Sequence, residues 1–233
     1  MSLTSAIVIF VILSLLLFFT WRLIRVCEAA NEADWGSKWW NRLDGLNRLF
    51  CRHVHKLVAE EIPLPETGGA LLVSNHVSGL DPLLMIAACK RPIRFMIARE
   101  QYERFGLNWL FRGIGCIPVE RSGKAEMSLR AALRALEEGE VIALFPHGTF
   151  HLPGNDPPKI KRGVARLAQL SGCQVFPLRV EDVSAMGHTV AAVFFPSHAR
   201  IHSFPPIDCH ELETAACLEH VARVIETEVE CPS

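Results

Sequence analysis

The sharpest contrast in the chain lies at its start. From Leu3 to Trp21 the run LTSAIVIFVILSLLLFFTW carries no charge, and Arg22 and Arg25 follow at once. About 20 consecutive apolar residues span a bilayer core, so the run predicts a membrane helix. The two arginines then place the rest of the chain on the cytoplasmic side. A helix lying in the interface instead of crossing it fits the same run. A cleavable signal peptide would want a basic start and a small-residue cleavage site. Here the start is MSLTS and the run ends in FFTWRLIR.

The next stretch changes period. Trp35, Trp39, Leu43, Leu46, Phe50, Val54 and Leu57 recur in steps of three and four, which is one stripe of an α-helix. Lys38, Arg42, Arg48, Arg52 and Lys56 fall on other positions. Tryptophan on one side with cations elsewhere suits a membrane interface. The same stripe can pack on the protein's own core, above all in its C-terminal half. The pattern therefore predicts an anchor over 1–25, an amphipathic interface helix over 26–62 and a folded domain over 63–233.

Beyond Gly68 short apolar runs alternate with helical patterns. Strands are predicted at Ala70–Ser74, Ile93–Ala98, Cys116–Val119, Val141–Phe145, Val175–Val180, Thr189–Phe195 and Ala199–Ser203. Helices are predicted at Pro82–Ala88, Gln101–Arg112, Ala125–Glu137, Arg162–Leu170 and Leu212–Glu228. The alternation indicates an α/β fold: a mixed, largely parallel sheet flanked by helices, with membrane-associated helices at the N-terminus. In such sheets chemistry gathers on the loops at strand ends.

Composition adds three constraints. Half of the 233 residues are apolar, enough for one large core. A formal charge of −1 gives no field that would gather nucleic acid. The eight cysteines form no C-x-x-C pair, which argues against a disulfide framework or a Cys-rich zinc site and for reduced thiols.

Candidate chemistry begins where the first core strand ends, in NHVSGLD. Asp81 precedes Pro82, a good N-cap pairing. His76 lies across a turn containing Gly79, so the carboxylate can fold back on the imidazole. It would then hold one tautomer and leave the other nitrogen as a general base. An ordinary capping Asp beside a loop His gives the same letters. There is no G-x-S-x-G elbow, so a base at His76 would serve a substrate hydroxyl. Arg121, after the strand entered by Gly113 and Gly115, and Arg99, after another strand, can each present a fork to a phosphate. Both also read as solvated surface residues. In ALFPHGTF, Gly148 and Thr149 offer an amide and a hydroxyl to an anion, and Lys161 and Arg162 follow at the next helix. His147 and His151, with His76 and Asp81, are also the donors of a possible zinc site in a metal-dependent hydrolase. Pro146, Gly148 and Pro153 oppose the regular helix that usually supplies that spacing.

The blocks NHVSGLD, GCIPVER, FPHGTF and VFPLRV, in this order, resemble the glycerolipid acyltransferases, the family of 1-acylglycerol-3-phosphate or lysophosphatidate acyltransferases. The first block is matched by Asn75, His76 and Asp81, and the second by Gly115 and Arg121. The third is matched by Phe145, Pro146, Gly148 and Thr149, and the fourth by Pro177. Arg99 resembles a basic residue that helps hold the acceptor's phosphate. Two positions depart: His147 stands where the family has Glu, and Phe150 where it has Arg. Both family residues are thought to position the acceptor.

The resemblance implies that His76 and Asp81 are catalytic. It implies that Asn75, Arg99, Gly115, Arg121, Phe145, Pro146, His147, Gly148 and Thr149 bind substrate. The reaction would move an acyl chain from acyl-CoA or acyl-carrier protein to a lysophospholipid, by default 1-acyl-sn-glycerol-3-phosphate. It would run at the cytoplasmic face of a membrane, with membrane lipids as partners and no metal or bound cofactor. A different acceptor, such as an amino-acid-headed lysolipid, would fit the missing Arg. A relative that has lost its activity is the remaining reading, and the intact first block speaks against it.

Overall fold

A computed structural model describes residues 3–120, 125–152 and 160–226. The apolar start forms helix α1, Leu3–Ala30. It continues past Arg22 and Arg25 because RLIRVCEAA holds no Gly or Pro and mostly good helix formers. Its most apolar window has a mean hydropathy of 2.6 and is not buried anywhere. It is long and apolar enough to cross a membrane, which suggests an anchor.

Helix α2, Lys38–His53, starts at Ser37, whose hydroxyl accepts from the Trp40 amide. The stripe along it divides. Trp35, Phe50 and Leu57 pack on the core, while Trp39 and Leu46 stay exposed. At Gly45 a Cβ would lie 1.8 Å from the Cys27 carbonyl oxygen, so α1 and α2 can meet there only over glycine. Arg48, grouped by its period with the outward-facing cations, is instead completely buried. It pairs with Asp44 at 2.6 Å and Glu32 at 3.2 Å. It also donates to the carbonyls of Ile86, Ala87 and Cys89 at the end of helix α3, Asp81–Ala88.

Seven strands form one sheet: β1 Val58–Ala59, β2 Ala70–Ser74, β3 Ile93–Ala98, β4 Ile117–Val119, β5 Val141–Leu144, β6 Val175–Glu181 and β7 Arg200–Ser203. Their order is β1-β7-β6-β2-β5-β3-β4. The five from β6 to β4 are parallel. Strand β7 runs antiparallel to β6, and β1 is parallel to β7. Every residue of β2 and β5 is buried, as expected of strands covered on both faces. Ala70 and Leu72 join the core under α3. Leu71 and Val73 join the other core, under α6 (Ala125–Glu137), α7 (Gly163–Ser171) and α9 (Thr214–Glu226).

The topology places a site. The chain leaves β2 through α3 toward β3, and leaves the neighbouring β5 through α7 in the opposite direction toward β6. The two connections cover opposite faces of the sheet, α3 on one and α7 on the other, so the loops leaving β2 and β5 lie side by side at the strands' carboxyl ends, where sites of such sheets gather.

Three expectations are corrected. Thr189–Phe195 is not a strand: its middle forms a short helix, α8, Ala191–Phe194. An apolar run of that length does not distinguish strand from helix, and β7 fills the place beside β6. The helix expected over Gln101–Arg112 breaks into α4, Arg99–Tyr102, and α5, Asn108–Gly113. Gly106 between them has φ +83°, a conformation no helix contains. Finally, Cys209 and Cys217 form a disulfide between the segment after β7 and the first turn of α9. Cys27, Cys51, Cys89, Cys116 and Cys173 are free. Burial pushes the Cys51, Cys89 and Cys116 thiols up to about 12, so these are inert core residues.

Candidate active site

Strand β2 ends at Ser74, and the turn Asn75–Leu80 carries the chain into α3. Asp81, at the head of α3, is fully buried. One carboxylate oxygen accepts from the amides of Val77 at 2.7 Å and Ser78 at 2.9 Å, and from His76 Nδ1 at 2.8 Å. The other accepts from the Ser78 hydroxyl at 2.6 Å. Four donors therefore hold one carboxylate. Gly79 lets the turn close: its amide donates to the His188 carbonyl, and a Cβ there would lie 2.0 Å from the Thr189 carbonyl oxygen.

Because His76 donates through Nδ1, its Nε2 carries the lone pair. The side chain is 18% exposed. Its ring stacks on Phe145, 3.9 Å between centroids and 13° from parallel, and meets Phe150 edge-on at 4.6 Å. The imidazole is thus fixed by a carboxylate at one nitrogen and by aromatic rings on two sides.

The neighbouring turn, after β5, is knitted to the first. The His151 amide donates to the His76 carbonyl at 2.7 Å. Gly148 takes φ +73°, and a Cβ there would lie 2.3 Å from Lys161 Nζ, so the ammonium lies directly over this turn. Pro146 and His147 are buried, and Thr149 is exposed. His147 Nε2 lies 2.8 Å from a Glu226 carboxylate oxygen. Burial pushes the His147 imidazole below its ordinary range, and Glu226 pulls it back in part. A neutral His147 donates from Nε2 to Glu226, leaving Nδ1 bare. That atom, and Nδ1 of His151, are buried without a hydrogen-bond partner. The two rings meet edge-on at 5.5 Å.

The remaining predicted site residues separate into distinct surroundings. Asn75 spends both ends of its amide on the Val180 backbone, accepting at 2.7 Å and donating at 2.9 Å, so it ties β2 to β6. Arg99 opens α4 at the same sheet edge, bonded to Glu120 at 2.6 Å and Glu103 at 3.1 Å. Gly115 lies before β4, at the opposite edge, with a Cβ position 2.9 Å from Arg94 Nε. There it lines a surface hollow with Arg94, Ile117, Pro118 and Arg134, away from His76. Arg121 lies outside the described residues. Among the described residues no three His, Cys, Asp or Glu side chains converge to hold a metal. Of the donors named for zinc, Asp81 is engaged by four hydrogen bonds and His147 Nε2 by Glu226.

Sequence reasoning missed Ser78 and Glu226. Asp81 does not cap α3 as expected, since its carboxylate turns back on residues 76–78 and the helix start carries no side-chain cap. Ser78 was open to inference, since a Ser three residues before an Asp can bond it across a turn. Glu226 carries no local signal, since it arrives from the last helix.

A family model described as Acyltransferase matches residues 56–181, more than half of the chain and the part that holds every strand from β2 to β6. The chain belongs to the acyltransferase family. This acyltransferase is similar to a 1-acyl-sn-glycerol-3-phosphate acyltransferase of Bacillus subtilis (strain 168), 24% identical over 123 residues, covering 52% of this chain and 60% of that one. It is also similar to one of Borreliella burgdorferi, 23% identical over 190 residues, covering 77% and 75%. A probable 1-acyl-sn-glycerol-3-phosphate acyltransferase of Mycoplasma pneumoniae is 27% identical over 150 residues, covering 60% of this chain and 53% of that one. The chain thus spans little more than half the length of some curated relatives it matches. In fold it resembles the crystal structure of the 1-acyl-sn-glycerophosphate (LPA) acyltransferase PlsC from Thermotoga maritima. The TM-score is 0.61 at 18% identity, over 82% of this chain and 80% of that one.

Proposed function

We infer that the protein moves a fatty acyl chain from a thioester to the hydroxyl of a lysophospholipid, with 1-acyl-sn-glycerol-3-phosphate as acceptor and phosphatidic acid as product. The observation that carries this is the His76 imidazole, bonded at Nδ1 to buried Asp81 and bare at Nε2. Nε2 takes the proton of the acceptor hydroxyl as that oxygen attacks the thioester carbonyl. The C–O bond forms, the C–S bond breaks, and the leaving thiolate takes the proton back from His76. Asp81 holds the tautomer and stabilises the transient imidazolium. General-base assistance of this kind is worth about 10²–10⁴-fold. The donor is acyl-CoA or acyl-carrier protein, and the step calls for no metal or bound cofactor.

The acceptor's phosphate has cations to meet on the same edge. Arg99 is held by carboxylates in solvent-exposed ion pairs, of the weak kind that can exchange for a phosphate. Lys161 stands over the Gly148 turn, where the Thr149 hydroxyl is exposed. With α1 in the bilayer and Arg22 and Arg25 at its inner end, the site faces the cytoplasm. A second acceptor class is favoured by one observation: Phe150 packs against His76 where the family has Arg, so that cation is missing from the pocket. A lysolipid whose head carries its own cation fits this site.

The test is thiol release by purified protein with labelled acyl-CoA and a panel of lysolipids. Lysophosphatidic acid is expected to be turned over, and His76→Ala to abolish release. Near-normal turnover by that variant would sink the assignment.

A further inference from the structure

After β3 the chain turns a corner at Gly106, between α4 and α5. Three apolar side chains stand out of it: Phe105 is fully exposed, Trp109 is 56% exposed and Leu107 is 39% exposed. Single exposed apolar residues are ordinary, but three around one turn make a patch. The corner is built, not frayed. Trp109 Nε1 donates to the Gly106 carbonyl at 3.0 Å. Its ring stacks on Trp40 of α2 at 6.0 Å. Trp40 lies so close over Gly113 that a Cβ there would be 1.9 Å from the indole. The stack links the corner to Trp39, exposed on α2, and α2 packs directly on α1. Lys38, Arg104 and Arg112 are exposed beside these rings, and none of them makes an ion pair among the described residues.

We propose that the Phe105–Trp109 corner is a second membrane contact, seated in the anionic headgroup layer of the leaflet that α1 enters. Two features choose a bilayer over a protein partner. Bulky rings mixed with unpaired Lys and Arg are the composition of a membrane interface. The patch is also joined through the Trp40–Trp109 stack to the helix pair whose first member is a bilayer-length apolar rod. The corner leads off from Arg99 at the site edge of the sheet, so its seating would hold that edge against the lipid surface.

The full-length protein is reconstituted into phosphatidylcholine vesicles with and without phosphatidylglycerol. An environment-sensitive fluorophore is placed at Phe105→Cys in a Cys173→Ser, Cys231→Ser background, where the remaining cysteines are buried or in the disulfide. The expected result is a blue-shifted emission, quenched by headgroup-region spin-labelled lipid and more strongly with phosphatidylglycerol. The same probe at Leu170→Cys, on the opposite face, stays water-like. A water-like, unquenched probe at 105 in protein that floats with the vesicles overturns the proposal. So does a shift that depends on the protein-to-lipid ratio, which would make the occupant a second copy. This readout does not depend on the reaction. The activity arm uses Phe105→Glu with Leu107→Glu. Acylation of vesicle-borne lysolipid is expected to fall several-fold, with a monomeric short-chain lysolipid unaffected. Equal loss on both, or on neither, overturns it.

Discussion

The Glu226 carboxylate, on the last turns of α9, lies 2.8 Å from His147 Nε2, across 79 residues of sequence. The family carries a glutamate in the turn itself. This chain puts a histidine there and brings a carboxylate to it from another element.

That pairing predicts a pH signature. The folded imidazole of His147 is held below its ordinary value by burial, and so is that of His55. In the unfolded chain both titrate near about 6.5. Between the two values the unfolded state binds more protons, so stability is full above about 6.5 and is lost as pH falls toward the folded values. Denaturant unfolding from pH 8 to pH 5 should show that decline, and His147→Gln should remove part of it. Glu226→Gln removes the influence that raises His147, so the decline should deepen and extend to lower pH. An unchanged profile in both variants would count against a buried neutral His147.

Asp81→Asn leaves the helix start in place but replaces an acceptor of four hydrogen bonds with a group holding one oxygen. Activity is expected to drop by about 10²–10⁴-fold, with the imidazole no longer held in its tautomer. Stability should fall by about 1–3 kcal/mol as buried donors lose their partner. Thiol release and thermal unfolding of the same preparation measure both.

Restoring the family residues, His147→Glu with Phe150→Arg, should shift acceptor preference toward phosphate-headed lysolipids more than it changes maximal turnover. Phe150 lies against the His76 ring, so Arg there would stand at the reacting edge. Competition between two labelled lysolipids is the measurement. An identical product ratio would show that these positions do not select the acceptor.

Arg48→Ala should be among the most damaging single changes. It strands buried Asp44 and the carbonyls of Ile86, Ala87 and Cys89, at a cost of about 3–5 kcal/mol. Arg48→Ala with Asp44→Ala should recover part of the loss. Midpoints of detergent-phase unfolding would register the difference.

Much of the sheet was legible because its strands are continuous apolar runs with clear ends. Ala70–Ser74 and Ile93–Ala98 lie where the pattern put them. The approach of His76 to Asp81 was legible because the Asp-Pro helix start and Gly79 fix a local turn. What stayed hidden depends on distant partners. The burial of Arg48 needs carbonyls from α3, beyond the reach of any helical period. The Cys209–Cys217 bond follows from how α9 returns to the sheet, and Glu226 reaches His147 the same way. Thr189–Phe195 misled because apolar residues without a period fit either backbone.

Helix α3 has Asp81 at its head and the guanidinium of Arg48 gripping its tail, while Arg48 also holds Glu32, just beyond the end of α1. One side chain therefore stands between the apolar N-terminal helix and the helix whose first carboxylate holds the His76 imidazole. Arg48 thus ties the segment that follows α1 to the carbonyl end of α3, one helix length from Asp81. The apolar N-terminal helix and the turn that holds His76 are therefore braced on one buried guanidinium.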